Sequence, residues 1–206
     1  MGIIVFLLSL CIIAFIVIAN ELQKDALVQF DRTIISFVQG NISPFLTRVM
    51  EGFTFLGSVK WVGAAVVLIA LVLFAKRKWS LGLFILLSTG VGTLFNVILK
   101  NIFKRQRPEI HRIISESGYS FPSGHSTGAF IFYGSIAYLI LHYTNKRGWQ
   151  LLGVIIIALL ILAIGLSRIY LGVHYPSDVI GGYSAGGVWL IICILVFRYY
   201  ENRKNL

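Results

Sequence analysis

Charge is scarce in this 206-residue chain, and acid scarcer still: charged residues make up 13%, with 8 Asp and Glu against 18 Lys and Arg, while hydrophobic residues reach 57%. That balance excludes an ordinary soluble domain and predicts several membrane spans. The few acids form no cluster suited to Mg²⁺ or Ca²⁺. Only 2 cysteines occur, Cys11 and Cys193, both inside apolar stretches where a free thiol acts as a small hydrophobe, which argues against a disulfide framework or a cysteine metal site. Internal repeats and low-complexity segments are also missing. Residues 2–19 lack a basic leading region and a small-x-small pattern before Asn20, so a retained helix is expected there rather than a cleaved signal peptide.

What the chain does have is long apolar runs. A bilayer core of roughly 30 Å takes about 20 apolar residues per helix, and six stretches qualify: 2–19, 53–75, 79–99, 121–143, 149–166 and 179–197. Lys60 is the one lysine inside them, near a span start where its stem can snorkel to the interface. The expected fold is therefore all-α, a six-transmembrane-helix bundle, with residues 1–206 forming a single integral membrane domain. Between spans 1 and 2, "ALVQFDRTIISFVQ" places Ala26, Phe30, Ile34, Phe37 and Val38 at roughly helical spacing, which predicts a short interfacial helix acting as a brace or as a substrate gate.

The net charge of +10 does not indicate nucleic acid, because the basic residues lie in short loops between spans rather than on one soluble face. Six spans put Lys76, Arg77, Lys78, Lys146, Arg147, Arg198, Arg203 and Lys204 on one side with a single acid, Glu201. The opposite side carries the remaining cations, spread among seven acids. Compact basic turns mark the cytoplasmic side. Both termini are therefore expected in the cytoplasm, with the long loops 20–58 and 100–120 facing outward.

Three polar clusters fall at outward ends of the predicted spans. In "KNIFKRQRP", residues 100–108, Lys100 ends a span and Arg107 precedes Pro108, which biases it toward extended backbone. If the helix continued, Lys100 and Arg107 would lie two turns apart and could meet one polyanion; Lys100, with Lys104 and Arg105, also reads as an interfacial anchor. In "YSFPSGHS", residues 119–126, Pro122 suits a first helical turn, while Ser123 and Gly124 let backbone N–H groups approach an anion beside His125. An ordinary interfacial turn has the same composition. In "SRIYLGVHYPSD", residues 167–178, Pro176 can open a helix and Asp178 can accept a hydrogen bond from His174, fixing its tautomer and freeing the other ring nitrogen. A structural His–Asp pair would explain those two residues but not Arg168.

Three cations, free amides and two histidines suit phosphoryl transfer, which is mostly positioning and charge neutralisation. Two His and one Asp crowded by cations are a poor zinc set. No metal or other cofactor is expected. The spacings Lys100-x₆-Arg107-Pro108, Pro122-Ser123-Gly124-His125 and Ser167-Arg168-x₅-His174-x₃-Asp178 resemble the three-part signature of the type 2 phosphatidic acid phosphatase superfamily, and the size and short loops look like its bacterial phosphatidylglycerophosphatase B-type branch. The resemblance implies that His174 forms a phosphohistidine, Asp178 orients it and His125 protonates the leaving alkoxide. It implies that Lys100, Arg107, Ser123, Gly124 and Arg168 hold the phosphate.

The expected partners are a lipid phosphate substrate and the surrounding membrane lipids, with no nucleic acid and no obligate protein partner. Phosphatidylglycerol phosphate or phosphatidic acid-like lipids are the leading substrates, and undecaprenyl pyrophosphate, the cell-wall carrier, is the alternative. A lipid or phosphate transporter would more often show repeated halves and polar groups at the bilayer midplane. A scaffold binding anionic lipid would not need a His174–Asp178 pair.

Overall fold

The computed structural model describes residues 2–109 and 111–204, so the extreme ends of the 1–206 expectation lie outside the described residues. These residues form eight helices: α1 (Gly2–Glu21), α2 (Asp25–Gln39), α3 (Pro44–Leu56), α4 (Val59–Ala75), α5 (Trp79–Phe103), α6 (Gly124–Tyr143), α7 (Arg147–Tyr170) and α8 (Pro176–Lys204). The fold is all-α as expected, but the six-span division is not reproduced. Four helices, α1, α5, α7 and α8, are long and apolar enough to cross a membrane, and α3 with α4 adds a fifth if that bent pair is one span.

Two local causes account for the difference. The expected span 53–75 is broken: α3 is capped at its end by Gly57, Ser58 accepts from the Trp61 N–H at 3.2 Å to start α4, and the two helices meet at 45°. A serine cap inside an apolar run resets the helix direction. The expected span 121–143 starts at Gly124, with Pro122 outside it rather than in its first turn. Ser126, Thr127 and Ser135 on this helix are buried, so its polarity is turned into the protein.

α6 occupies the middle of the bundle, packed against α5, α7 and α8, while α1 lies on the outside of α8 and buries no side chain. Ile3, Phe6, Ile13 and Ile16 of α1 are exposed, as a lipid-facing helix requires. Close approach of α6 and α8 depends on two glycines one turn apart. A Cβ at Gly182 would lie 2.8 Å from the Ser123 carbonyl oxygen, and one at Gly186 would lie 3.0 Å from Phe130 Cβ. The main core runs through Ile85, Phe132 and Ile164. A second small core, Tyr170, Leu171 and Val173 with Val38, Leu46 and Met50, ties α2 and α3 over the end of α7.

The predicted helix between spans 1 and 2 exists as α2, followed by a second short helix, α3. Its five spaced apolar residues divide between two faces, Ile34 and Val38 half-buried and the others exposed. Phe37 is 84% exposed and Phe30 and Ala26 also face outward, whereas Asp31 is the residue buried, at 1%. The helix thus turns a carboxylate toward the bundle and phenyl rings away from it.

Candidate active site

The site lies where the ends of α5 and α7 meet the starts of α6 and α8. α5 stops at Phe103 because Lys104 takes a left-handed conformation (φ 48°), its N–H donating to the Lys100 carbonyl at 3.0 Å. The helix therefore does not continue to Arg107, and Arg107 enters the site from the loop. Ser123 caps α6, its Oγ accepting from the Ser126 N–H at 3.4 Å, and its own N–H donates to the Asp178 carbonyl at 2.9 Å. That bond joins the first turns of α6 and α8. Gly172 (φ 74°) turns the chain from α7 toward His174; a side chain there would collide with the His111 backbone.

All eight residues singled out in the sequence are found at this end of the bundle. His174 is 1% exposed, with Nδ1 at 3.3 Å from Asp178 Oδ2 and Nε2 at 3.2 Å from Arg107 Nη1. Asp178 Oδ2 also accepts from the Tyr175 N–H at 2.9 Å. Arg107 is fixed further by the Gly118 and Val173 carbonyls, each at 2.9 Å. Lys100 Nζ donates to the Tyr119 carbonyl at 2.5 Å, and its Cε lies 3.7 Å from where a Gly124 side chain would begin. Arg168 donates to Thr54 Oγ1 and, at 2.6 Å, to Glu116 Oε1. The Nε of Arg168 is buried with no partner among the described residues.

Electrostatics follow from this burial. Desolvation pulls the His174 pKa down to about 4 despite the hydrogen bond to Asp178, so the ring is neutral near pH 7. The carboxylate at Nδ1 selects the tautomer with its proton there, so the lone pair lies on Nε2, where it accepts from Arg107 Nη1. Burial pushes Glu116 upward, but Arg168, His125 and Arg107 outweigh it and hold the carboxyl below its ordinary range. Ser123 is completely buried and its hydroxyl is engaged in capping, accepting also from Ser126 Oγ at 2.9 Å. The Gly124 and His125 amides of the first turn have no intrahelical acceptor, which leaves them to face an anion. His125 packs on Gly57: a Cβ at that glycine would lie 3.4 Å from the imidazole Cδ2. The α3–α4 break thereby opens room for His125.

From His125 and His174 a cavity of about 550 Å³ runs between α4, α5 and α6, passing Val62, Val66 and Val97. Its polar end has the chemistry of a phosphate site, and its apolar end that of a hydrocarbon channel.

Sequence reasoning missed three residues. Glu116 bridges Arg168 and Arg107, its Oε2 at 3.3 Å from Arg107 Nη2. Arg105, set aside as an interfacial anchor, donates to Asp178 Oδ1 at 2.6 Å and Asp31 Oδ2 at 2.8 Å. Asp31 is one of the seven acids on the outward side. The one sequence signal for it is a carboxylate between Val28 and Ile34–Ile35, on a helical face that otherwise reads as apolar.

A multi-pass all-helical membrane protein with two histidines, three cations and one helix N-terminus gathered around a small pocket is thus defined. A family model described as the PAP2 superfamily matches residues 77–202. The chain is 35% identical over 192 residues to phosphatidylglycerophosphatase B of Bacillus subtilis, covering 93% of each protein. It is 33% identical over 146 residues to undecaprenyl-diphosphatase BcrC of the same organism, covering 68% of this chain and 69% of that one. Among solved structures, the PAP2-type phosphatidylglycerolphosphate phosphatase from Bacillus subtilis superposes with a TM-score of 0.85 at 32% identity, covering 95% of this chain and 96% of the other. The chain belongs to the PAP2 superfamily.

Proposed function

We propose that this chain is a lipid phosphate phosphatase whose leading substrate is phosphatidylglycerol phosphate, cleaved without metal through a phosphohistidine at His174. The observation that carries the reading is one histidine, held at Nδ1 by buried Asp178 and with Nε2 turned to the Arg107 guanidinium at 3.2 Å, beside a mostly apolar cavity. His174 Nε2 attacks phosphorus as the ester P–O bond breaks, and His125 gives its proton to the leaving alkoxide. His125 then takes a proton from water, which attacks phosphorus, breaks the P–N bond and releases inorganic phosphate. Lys100, Arg107, Arg168 and the Gly124 amide neutralise the oxygens, while Ser123 shapes that helix terminus through its cap. The identity with the two Bacillus subtilis relatives supports phosphatidylglycerol phosphate first and undecaprenyl pyrophosphate as the alternative.

In this reading residues 1–206 form one membrane domain. α1, α4, α5, α6, α7 and α8 cross the bilayer, α2 and α3 lie at the outer face, both termini are cytoplasmic and the site opens outward. Lipid enters with its tail in the cavity beside α4 and its headgroup at the cations.

Phosphate release by purified protein in detergent with EDTA tests the reaction, using phosphatidylglycerol phosphate, phosphatidic acid, diacylglycerol pyrophosphate and undecaprenyl pyrophosphate. The wild type is expected to act on phosphatidylglycerol phosphate fastest, and His174→Ala to lose at least about 10³-fold in kcat. Activity that requires a divalent metal, or survives His174→Ala, rejects the mechanism. Faster release from undecaprenyl pyrophosphate selects the alternative substrate.

A further inference from the structure

Asp178 is fully buried, so each carboxylate oxygen needs a partner within the protein. Oδ2 is satisfied by Tyr175 N–H and His174. Oδ1 depends on Arg105, whose Nη1 lies 2.6 Å away. The guanidinium is itself held from two other directions: Asp31 of α2 accepts from Nη2 at 2.8 Å, and Cζ lies over the Tyr175 ring, 4.1 Å from its centroid. Asp31 has a second task, accepting from the Ser177 N–H at 2.9 Å and the Ser177 hydroxyl at 2.6 Å. Ser177 Oγ is in turn 2.8 Å from Arg105 Nη1. One buried carboxylate on an extramembrane helix thus fixes both the arginine that grips Asp178 and the residue that precedes Asp178 in the chain.

From this arrangement we infer that Asp31 and Arg105 are positioning residues for the reaction, setting the carboxylate plane of Asp178 so that Oδ2 meets His174 Nδ1. The inference rests on the phosphohistidine reading of His174. Neither residue is placed to touch the phosphate: both act on the far side of Asp178 from the imidazole. Without Arg105, Oδ1 loses its only side-chain partner among the described residues, and two buried carboxylates, Asp31 and Asp178, are left unscreened from each other. The Asp178 side chain then turns, and His174 loses the tautomer that attack requires. Without the charge of Asp31, the guanidinium loses its second anchor, and Asp178 receives a looser partner.

A positioning role predicts a loss in turnover with substrate binding retained. In the detergent assay Asp31→Asn and Arg105→Ala are each expected to lower kcat by about tenfold to hundredfold, as removing an orienting partner typically does, with KM within about twofold of wild type. Arg105 lines a separate cavity of about 1180 Å³ shared with Asp31 and Tyr175, so a guanidinium ion can reach the vacated position. Millimolar guanidinium is expected to restore turnover to Arg105→Ala and leave wild type and His174→Ala unchanged. Wild-type kcat in both variants overturns the inference, as does lost activity accompanied by a matching loss of thermal stability and no recovery with guanidinium. If Arg105→Ala cannot be purified folded, Arg105→Lys serves instead: it keeps the charge but not the two-pronged grip, and unchanged kcat in that variant overturns the inference. His174→Ala separates the two readings, because activity in that control removes the phosphohistidine reading itself.

Discussion

The most consequential single side chain outside the histidines is Glu116. Its carboxylate spans Arg168 and Arg107 with contacts of 2.6 and 3.3 Å, the position a phosphoryl group would take between the same guanidinium groups in the proposed reaction. A phosphate can bind there only by displacing it or pushing it aside, so the glutamate competes with the ligand for two charge-assisted hydrogen bonds. Removing the negative charge while keeping the shape should favour the ligand. Glu116→Gln is expected to lower the inhibition constant of orthovanadate, a phosphate mimic, by about tenfold, equivalent to about 1.4 kcal/mol. Inhibition titrations in detergent measure this, and an unchanged constant would show that the carboxylate does not compete. Nothing around Glu116 in the sequence singles it out, because its function comes from guanidinium groups supplied by two distant segments.

At the scale of elements, the legible parts were those fixed by local chemistry. Lys100, Arg107, His125, Arg168 and His174, which the fold gathers at one end of the bundle, stand out as candidates because ionisable groups at the edges of apolar runs are costly without a task. Pro176 does open α8, and Asp178 follows in its first turn. What escaped was of two kinds: a local serine cap, Ser58, hidden within an apolar run, and features that depended on tertiary pairing, Asp31 as the centre of the α2 inner face and α6 as a polar central helix. The contact between α6 and α8 belongs to this second group, and it bears on the site because the Ser123–Asp178 bond spans it. Gly182 permits that approach, since an added Cβ would lie 2.8 Å from the Ser123 carbonyl and 2.9 Å from Ser126 Cβ. Gly182→Ala must therefore push α8 away from the α6 cap. We expect it to destabilise the protein by about 1–3 kcal/mol, read as a lower melting temperature in detergent, with a parallel fall in phosphatase activity. An unchanged melting temperature would mean that the crossing relaxes at no cost.

For the whole molecule, the two ends of the bundle differ in charge and composition, and that difference bears on orientation. The end away from the site carries the basic turns at 76–78 and 146–147, close to the exposed aromatics Trp79, Tyr143 and Trp149. Aromatic rings with lysines and arginines just beyond them suit the headgroup level, and compact clusters of such cations favour the cytoplasm. The site end has cations too, but Arg105, Arg107 and Arg168 are drawn into contacts with Asp31, Asp178 and Glu116. Cations committed to carboxylates inside the site are weak topological signals beside the exposed lysines of the opposite turns. The site should then face outward, where a lipid phosphate of the outer leaflet can reach it. Ser115, exposed in the loop beside the site, and Lys78, exposed at the opposite turn, provide the two probes. A membrane-impermeant maleimide should label Ser115→Cys in intact cells and Lys78→Cys only after permeabilisation, with Cys11 and Cys193 shielded inside helices. The reverse pattern would turn the site toward the cytoplasm and make the inner leaflet the source of its substrate.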